Sequence, residues 1–177
     1  TKRIDAQIKK LIRDAIAAAN KKTAAANVKS NPKTTAAEKK AIESSTKIVL
    51  TPEGKIVSDN FKSNKGRLPW PVENGAITLG YGDQPHPIFK SLTVHNSGIE
   101  ITTDSGSNAR AVFAGEVTQV QVLTPLKKAV VVKHGDFFTV YQNLSSVNVS
   151  VGDKVSIKQS LGKIRTNADG KTILKFM

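Results

Sequence analysis

The side chains able to do hydrolytic or metal chemistry are few in this sequence. Histidine occurs three times, at His86, His95 and His134, and cysteine not at all. Without cysteine there is no thiolate metal site, no cysteine nucleophile and no disulfide. No Gly-x-Ser-x-Gly elbow and no phosphate-cradling Gly-x-x-x-x-Gly-Lys-Ser/Thr loop is present. The three histidines do not share a ligand spacing. His86 sits in a proline-flanked loop, His134 precedes a glycine in a turn, and His95 adjoins Asn96 in a β-branched stretch. Adjacent strand residues point to opposite faces, so His95 and Asn96 cannot present their side chains to one site.

Two kinds of texture must position whatever chemistry remains. From Leu68 onward, short β-branched runs alternate with Gly, Asn, Asp and Pro, the pattern of an all-β sandwich or barrel. The runs are 76–79, 98–102, 111–113, 116–122, 129–133, 137–141, 154–157 and 172–176. No strand–helix alternation points to a parallel sheet. Gly106, Gly115, Gly135, Gly152 and Gly162 fall at the turns, where positive φ or close backbone approach is needed.

The N-terminal third differs. Ile4, Ile8, Leu11, Ile12, Ala15, Ile16 and Ala19 recur at helical spacing, with Lys9, Lys10, Arg13 and Asp14 between them, which predicts an amphipathic helix over 4–22. Such a stripe requires a partner surface, as one strand of a coiled coil or as an arm docked on a domain. Residues 27–37 read as a linker, and 36–45 as a short helix. Thr51 before Pro52 marks a helix start, giving a helix over 52–64 that Gly66 ends. The expected organisation is a helical arm and linker (1–50), a short helix and connector (51–67) and a β domain (68–177).

The chain carries 27 basic against 14 acidic residues, a formal charge of +13. Residues 1–50 hold 12 basic and 4 acidic of these, so the excess is concentrated in the helical third. Acidic partners are favoured, but there is no helix-turn-helix, aromatic RNA-binding or zinc-finger pattern, and nucleic acid is not expected as a partner. No apolar run approaches the roughly 20 residues of a transmembrane helix. Thr1 opens directly into charged sequence with no apolar leader, as a mature or trimmed chain would.

Read in order, the β region resembles the lysostaphin/LytM-type zinc endopeptidases that cleave peptidoglycan cross-bridges. The resemblance rests on Leu68-Pro69-Trp70-Pro71-Val72 with Gly80-Tyr81-Gly82, then Gly98-Ile99-Glu100-Ile101, and Ala114-Gly115-Glu116-Val117. It continues through Tyr141-Gln142-Asn143-Leu144, Val151-Gly152-Asp153-Lys154-Val155 and Leu174-Lys175-Phe176. Its specificity lies in the order of the segments. Two of them, 114–117 and 151–155, also resemble biotinyl and lipoyl carrier domains, but no lysine-bearing hairpin tip of that kind is found.

The resemblance implies a mainly β, LytM-like antiparallel sandwich or barrel-like domain, here preceded by a coiled-coil-like helical arm. Active members hold zinc by three protein ligands and leave a fourth position for the attacking water. The matching ligand positions in this sequence are Asn96, Glu100 and Lys175, and the two assisting histidine positions are Asn143 and Ile173. Only Glu100 is a metal donor in its ordinary state, since a protonated lysine offers no lone pair. The expectation is a degenerate domain with no metal, no cofactor and no catalysis.

Degenerate domains of this kind behind helical segments resemble murein hydrolase activators of the EnvC type. That resemblance implies a periplasmic or cell-envelope regulator that binds and activates a peptidoglycan amidase during cell division. The emptied groove would be the docking face, formed by Asn96, Glu100, Tyr141, Asn143, Ile173 and Lys175, with Tyr141 as aromatic anchor. The helical arm would connect to a membrane division complex. Alternatives are a domain that binds peptidoglycan without cutting it, and a residual metallo-endopeptidase.

Overall fold

The computed structural model describes residues 2–30, 36–45, 47–85 and 89–177. The chain divides into two compact units, residues 1–65 with 133–138, and residues 66–132 with 139–177.

The first unit is built on three helices, α1 (Lys2–Ser30), α2 (Ala36–Ser44) and α3 (Pro52–Ser63). α1 is longer than the periodic stripe that announces it. Ala24 to Ala26 carry it forward by propensity, and its bound falls two residues before Pro32, which disfavours helical backbone in the residue preceding it. Residues 27–30, expected as linker, are therefore helical, and 36–37 already belong to α2. The remaining linker residues, 31–35, lie outside the described residues.

α1 packs against α2. Leu11, Ala15 and Ala19 of the stripe are buried, whereas Ile12 and Ile16 are half-buried. The side chains of Ile4 and Ile8 lie outside the described residues. One turn farther along, Asn20 is fully buried and ties α1 to the chain after α2. Its Nδ2 donates to the carbonyls of Ser45 and Lys47, both at 2.9 Å, and its Oδ1 accepts from the Val49 amide at 2.9 Å. Thr23 Oγ1 adds a bond to the Val49 carbonyl at 3.0 Å.

α3 begins where the Thr51–Pro52 signal places it. Thr51 Oγ1 accepts from the Gly54 amide at 3.2 Å, which satisfies one of the orphan donors of the first turn. Within this unit α3 meets residues 133–138. Phe61 stacks on His134 and Phe137, with ring centroids 4.9 and 5.1 Å away, and Ser58 Oγ donates to Asp136. Gly135, at φ 71°, brings its Cα against Ser58 and the Gly54 carbonyl, where a Cβ would collide. No described helix is long and apolar enough to cross a membrane.

The second unit is mainly β. The strands of the chain are β1 (Ala76–Leu79), β2 (Gly82–Pro85), β3 (Thr93–Asn96), β4 (Ile99–Thr103), β5 (Asn108–Arg110), β6 (Gly115–Thr124), β7 (Lys127–His134), β8 (Phe137–Leu144), β9 (Lys154–Val155), β10 (Ser160–Lys163) and β11 (Thr172–Phe176), the parts of β7 and β8 within 133–138 belonging to the first unit. Seven form an antiparallel sheet in the order β1-β4-β11-β8-β7-β6-β9, and β2–β3 and β5–β10 pair separately. The mainly β, antiparallel expectation is met.

The last strand is inserted between the fourth and the eighth, and this crossover brings distant parts of the sequence together. The core lies on one face of the sheet, around Ile101, Val117, Val130, Val132, Tyr141, Leu144, Leu161, Ile164 and Leu174. The expected strand at 111–113 is not one. Ala111 and Val112 are buried, but Ala111 exchanges backbone bonds with Lys158 and Gln159 at 2.7 and 2.9 Å, outside any ladder.

Candidate binding face

Strand alternation decides which side chains share a face. Leu174 is in the core, so its neighbours Ile173 and Lys175 project from the opposite side of β11. On β4, Ile101 is in the core, which leaves Glu100 and Thr102 on that same outer side. The β4–β11 register pairs Lys175 directly with Glu100 and Ile173 with Thr102. On the other flank of β11, Lys175 pairs with Gln142 of β8. The outcome is a cross-strand row, Glu100–Lys175–Gln142, with cross-strand Cβ neighbours about 5 Å apart. Thr78 of β1 extends the face, its Oγ1 donating to the Glu100 carbonyl and accepting from Thr102 Oγ1 at 3.2 Å.

Asn143 marks where β8 leaves β11. Its φ of 69° lies in the left-handed region, which asparagine tolerates better than most residues. Its Nδ2 donates to the Ile173 carbonyl at 2.6 Å, holding β11 after the ladder has ended. Its own carbonyl accepts from the Arg165 amide at 2.8 Å, so the chain turns there to a new neighbour. Asn96, at the end of β3, is buried, and its Nδ2 donates to the Gly80 carbonyl at 2.9 Å.

Tyr141 does not belong to this face. It is fully buried and stands in the core. Its hydroxyl accepts from the Val112 amide at 3.0 Å and from Thr139 Oγ1 at 3.3 Å, and its ring tilts against Phe176 at 5.3 Å. Burial pushes the phenol up to about 12, despite the two hydrogen bonds that favour the phenolate. A side chain without solvent access cannot anchor a partner, so the anchor role expected for Tyr141 is withdrawn. Gln142, the β8 residue that pairs with Lys175, lies on the opposite side of the strand from Tyr141 but is buried as well, its Nε2 donating to Met177 Sδ at 3.2 Å.

Residues 94–177 match Peptidase family M23. This segment is similar to an M23-type domain. Solved structures extend the likeness upstream of the matched residues. A chain of the SpoIIQ–SpoIIIAH pore forming complex is 25% identical over 62% of this chain and 80% of its own, with a TM-score of 0.50. A chain of another SpoIIIAH and SpoIIQ complex is 26% identical over 62% and 90%, with a TM-score of 0.51. A point mutant of the catalytic domain of EnpA, a prophage-encoded M23 protein from Enterococcus faecalis, is 22% identical over 63% and 85%, with a TM-score of 0.51; this last likeness concerns the fold. Among curated proteins no sequence matches the chain.

The residues at the matched positions do not make a zinc site. Of Asn96, Glu100 and Lys175, only Glu100 offers an anionic donor. The Asn96 amide is turned to a backbone carbonyl, and Lys175, the cross-strand partner of Glu100, offers no lone pair while protonated. Among the described residues no group of three or more His, Cys, Asp or Glu side chains is arranged for a metal. His95 does not compensate. It faces away from Asn96 by alternation and its Nδ1 meets Asp83 Oδ1 at 2.7 Å, on its exposed cross-strand partner. His134 is fully buried against Phe61 in the helical unit, and His86 lies outside the described residues. The donor set does not fit a three-ligand zinc site, and no catalytic step is derived through that metal.

Proposed function

We propose that the chain is a non-catalytic regulator of cell-wall turnover. On this reading it works outside the cytoplasm, in the periplasm or cell envelope, and its outer sheet face binds and activates a peptidoglycan amidase during cell division. The observation that carries the proposal is the pairing of Lys175 with Glu100 across β11 and β4. With lysine and asparagine at two of the three matched positions, one carboxylate is left to hold a metal, and a face emptied of that chemistry is open to another use. The likeness to a chain of the SpoIIQ–SpoIIIAH complex supports protein binding as that use.

The accessible part of the docking face then consists of Glu100, Asn143, Ile173 and Lys175, while Asn96 and Gln142 are buried and support it from within the fold. The aromatic anchor passes from Tyr141 to Tyr81, which is 72% exposed and adjoins Gly82, the cross-strand partner of Asn96. An exposed tyrosine supplies large contact area at low conformational cost, as interface anchors do. The helical unit would connect the domain to a membrane division complex.

Two binding assays test this reading together, co-purification with a periplasmic amidase and co-sedimentation with purified sacculi. Capture of the amidase, weakened about tenfold by Tyr81→Ala with the thermal midpoint unchanged, is the expected result. Co-sedimentation with sacculi and no amidase capture overturns it in favour of direct peptidoglycan binding.

A further inference from the structure

A polar cleft of about 420 Å³ opens in the β unit beside β5 and β10, and none of its lining residues belongs to the face described above. Its walls carry Arg110, Lys158, Glu73, Ser107, Asn108 and Ser160. The volume is within the range of small-molecule sites. We infer that this cleft binds a small hydroxyl-bearing anion, a sugar or polyol carrying a phosphate or a carboxylate.

Three features point to an anion. Arg110 is fixed from behind: its Nε donates to the Trp70 carbonyl at 3.2 Å and its amide to the Pro71 carbonyl at 2.8 Å. That leaves the terminal guanidinium nitrogens, the pair suited to a bidentate oxyanion contact, without another bond among the described residues. Lys158 holds φ 63°, a backbone conformation that glycine or asparagine adopts more readily. Its amide is pinned to the Ala111 carbonyl at 2.7 Å, so the turn is maintained with a cation at the strained position. With Glu73 as the one lining carboxylate, cations outnumber anions two to one in the cleft.

The remaining groups suit hydroxyls. Ser160 Oγ is buried and has no hydrogen-bond partner among the described residues. A buried hydroxyl left unmet is costly, and a ligand in the adjoining cleft is where its partner would come from. Thr103 Oγ1 gives its single proton to the Asn74 carbonyl at 2.5 Å, so Ser107 Oγ donates to Thr103 Oγ1 at 3.1 Å and keeps its lone pairs to accept from a ligand hydroxyl. Asn108 adds a carboxamide able to donate and accept.

The test is a titration of the full chain followed by amide chemical shifts. The probes are glucose 6-phosphate, glucuronate, inorganic phosphate and neutral glucose. Expected are saturable shifts at residues 105–110 and 158–160 with one of the two sugar anions, and little with glucose. The two sugar-anion arms tell phosphate from carboxylate. Arg110→Gln should weaken that binding by about tenfold or more, and the exposed Lys158→Gln gives a second reading if the first variant folds poorly. Ser160→Ala should weaken binding while leaving the thermal midpoint equal or higher, an outcome that a purely structural serine would not give. No saturable shift with any anion up to about 20 mM, or affinity unchanged in both cation variants, overturns the inference. Inorganic phosphate binding as tightly as glucose 6-phosphate overturns the hydroxyl-bearing part of it.

Discussion

Lys175 of β11 faces Glu100 of β4, residue against residue, on the outer side of the sheet. The pair occupies two of the three positions at which the family resemblance places metal ligands, and a lysine there offers no lone pair to a divalent ion while protonated. Without a third donor there is no open coordination position and no acidified water.

Restoring the ligands tests the register on which this rests. In the variant Asn96→His, Glu100→Asp and Lys175→His, the native chemistry of a three-ligand site is rebuilt on β3, β4 and β11. It should retain about one equivalent of zinc through dialysis, whereas the parent retains none. Adding Asn143→His and Ile173→His should not reduce that content. A triple variant that folds and binds zinc no better than the parent shows that at least one strand has been matched to the wrong position.

Tyr141 gives a stability prediction. Tyr141→Phe removes a buried hydroxyl and leaves the Val112 amide without its acceptor, so it should cost about 1–3 kcal/mol in chemical denaturation. The pH dependence follows from the raised phenol. In the folded chain it titrates near 12, in the unfolded chain near 10.0, so the stabilisation is complete below about pH 10 and is lost as pH rises toward 12. The expected loss is on the order of 2 kcal/mol, and it should be absent from Tyr141→Phe. Equal alkaline sensitivity of both proteins contradicts the assignment.

The sequence announced much of this fold, and its failures have physical causes. β1 and β11 are found at their expected bounds because β-branched and apolar residues fill both and turn residues flank them. The Thr51–Pro52 start of α3 was equally legible, since capping is local chemistry. β2 was missed because Gly82-Asp83-Gln84-Pro85 offers no apolar face and pairs only with β3. Residues 111–113 looked like a strand because they are buried, yet their backbone bonds go to the 158–159 turn and to Tyr141. Site positions could be placed by segment order, but whether Tyr141 or Gln142 shares the side of Lys175 depends on which side of the sheet holds the core. Composition does not carry that.

Asn20 is the residue on which the helical unit should depend most locally. Asn20→Ala deletes three side-chain bonds to the backbone of 45–49 at a fully buried position. The expected destabilisation of this unit is about 1–3 kcal/mol, with amide exchange accelerated first at Val49. Exchange at Val49 that matches the parent would show that other contacts hold the segment.

The most direct measurement of the regulatory reading is the rate at which a purified periplasmic amidase digests sacculi, with and without equimolar chain. The account predicts a several-fold or greater increase, no digestion by the chain alone, and no change in either result on adding a zinc chelator selective enough to spare the amidase. An amidase rate unaffected by the chain, together with cross-bridge cleavage by the chain alone that chelation abolishes, would contradict it.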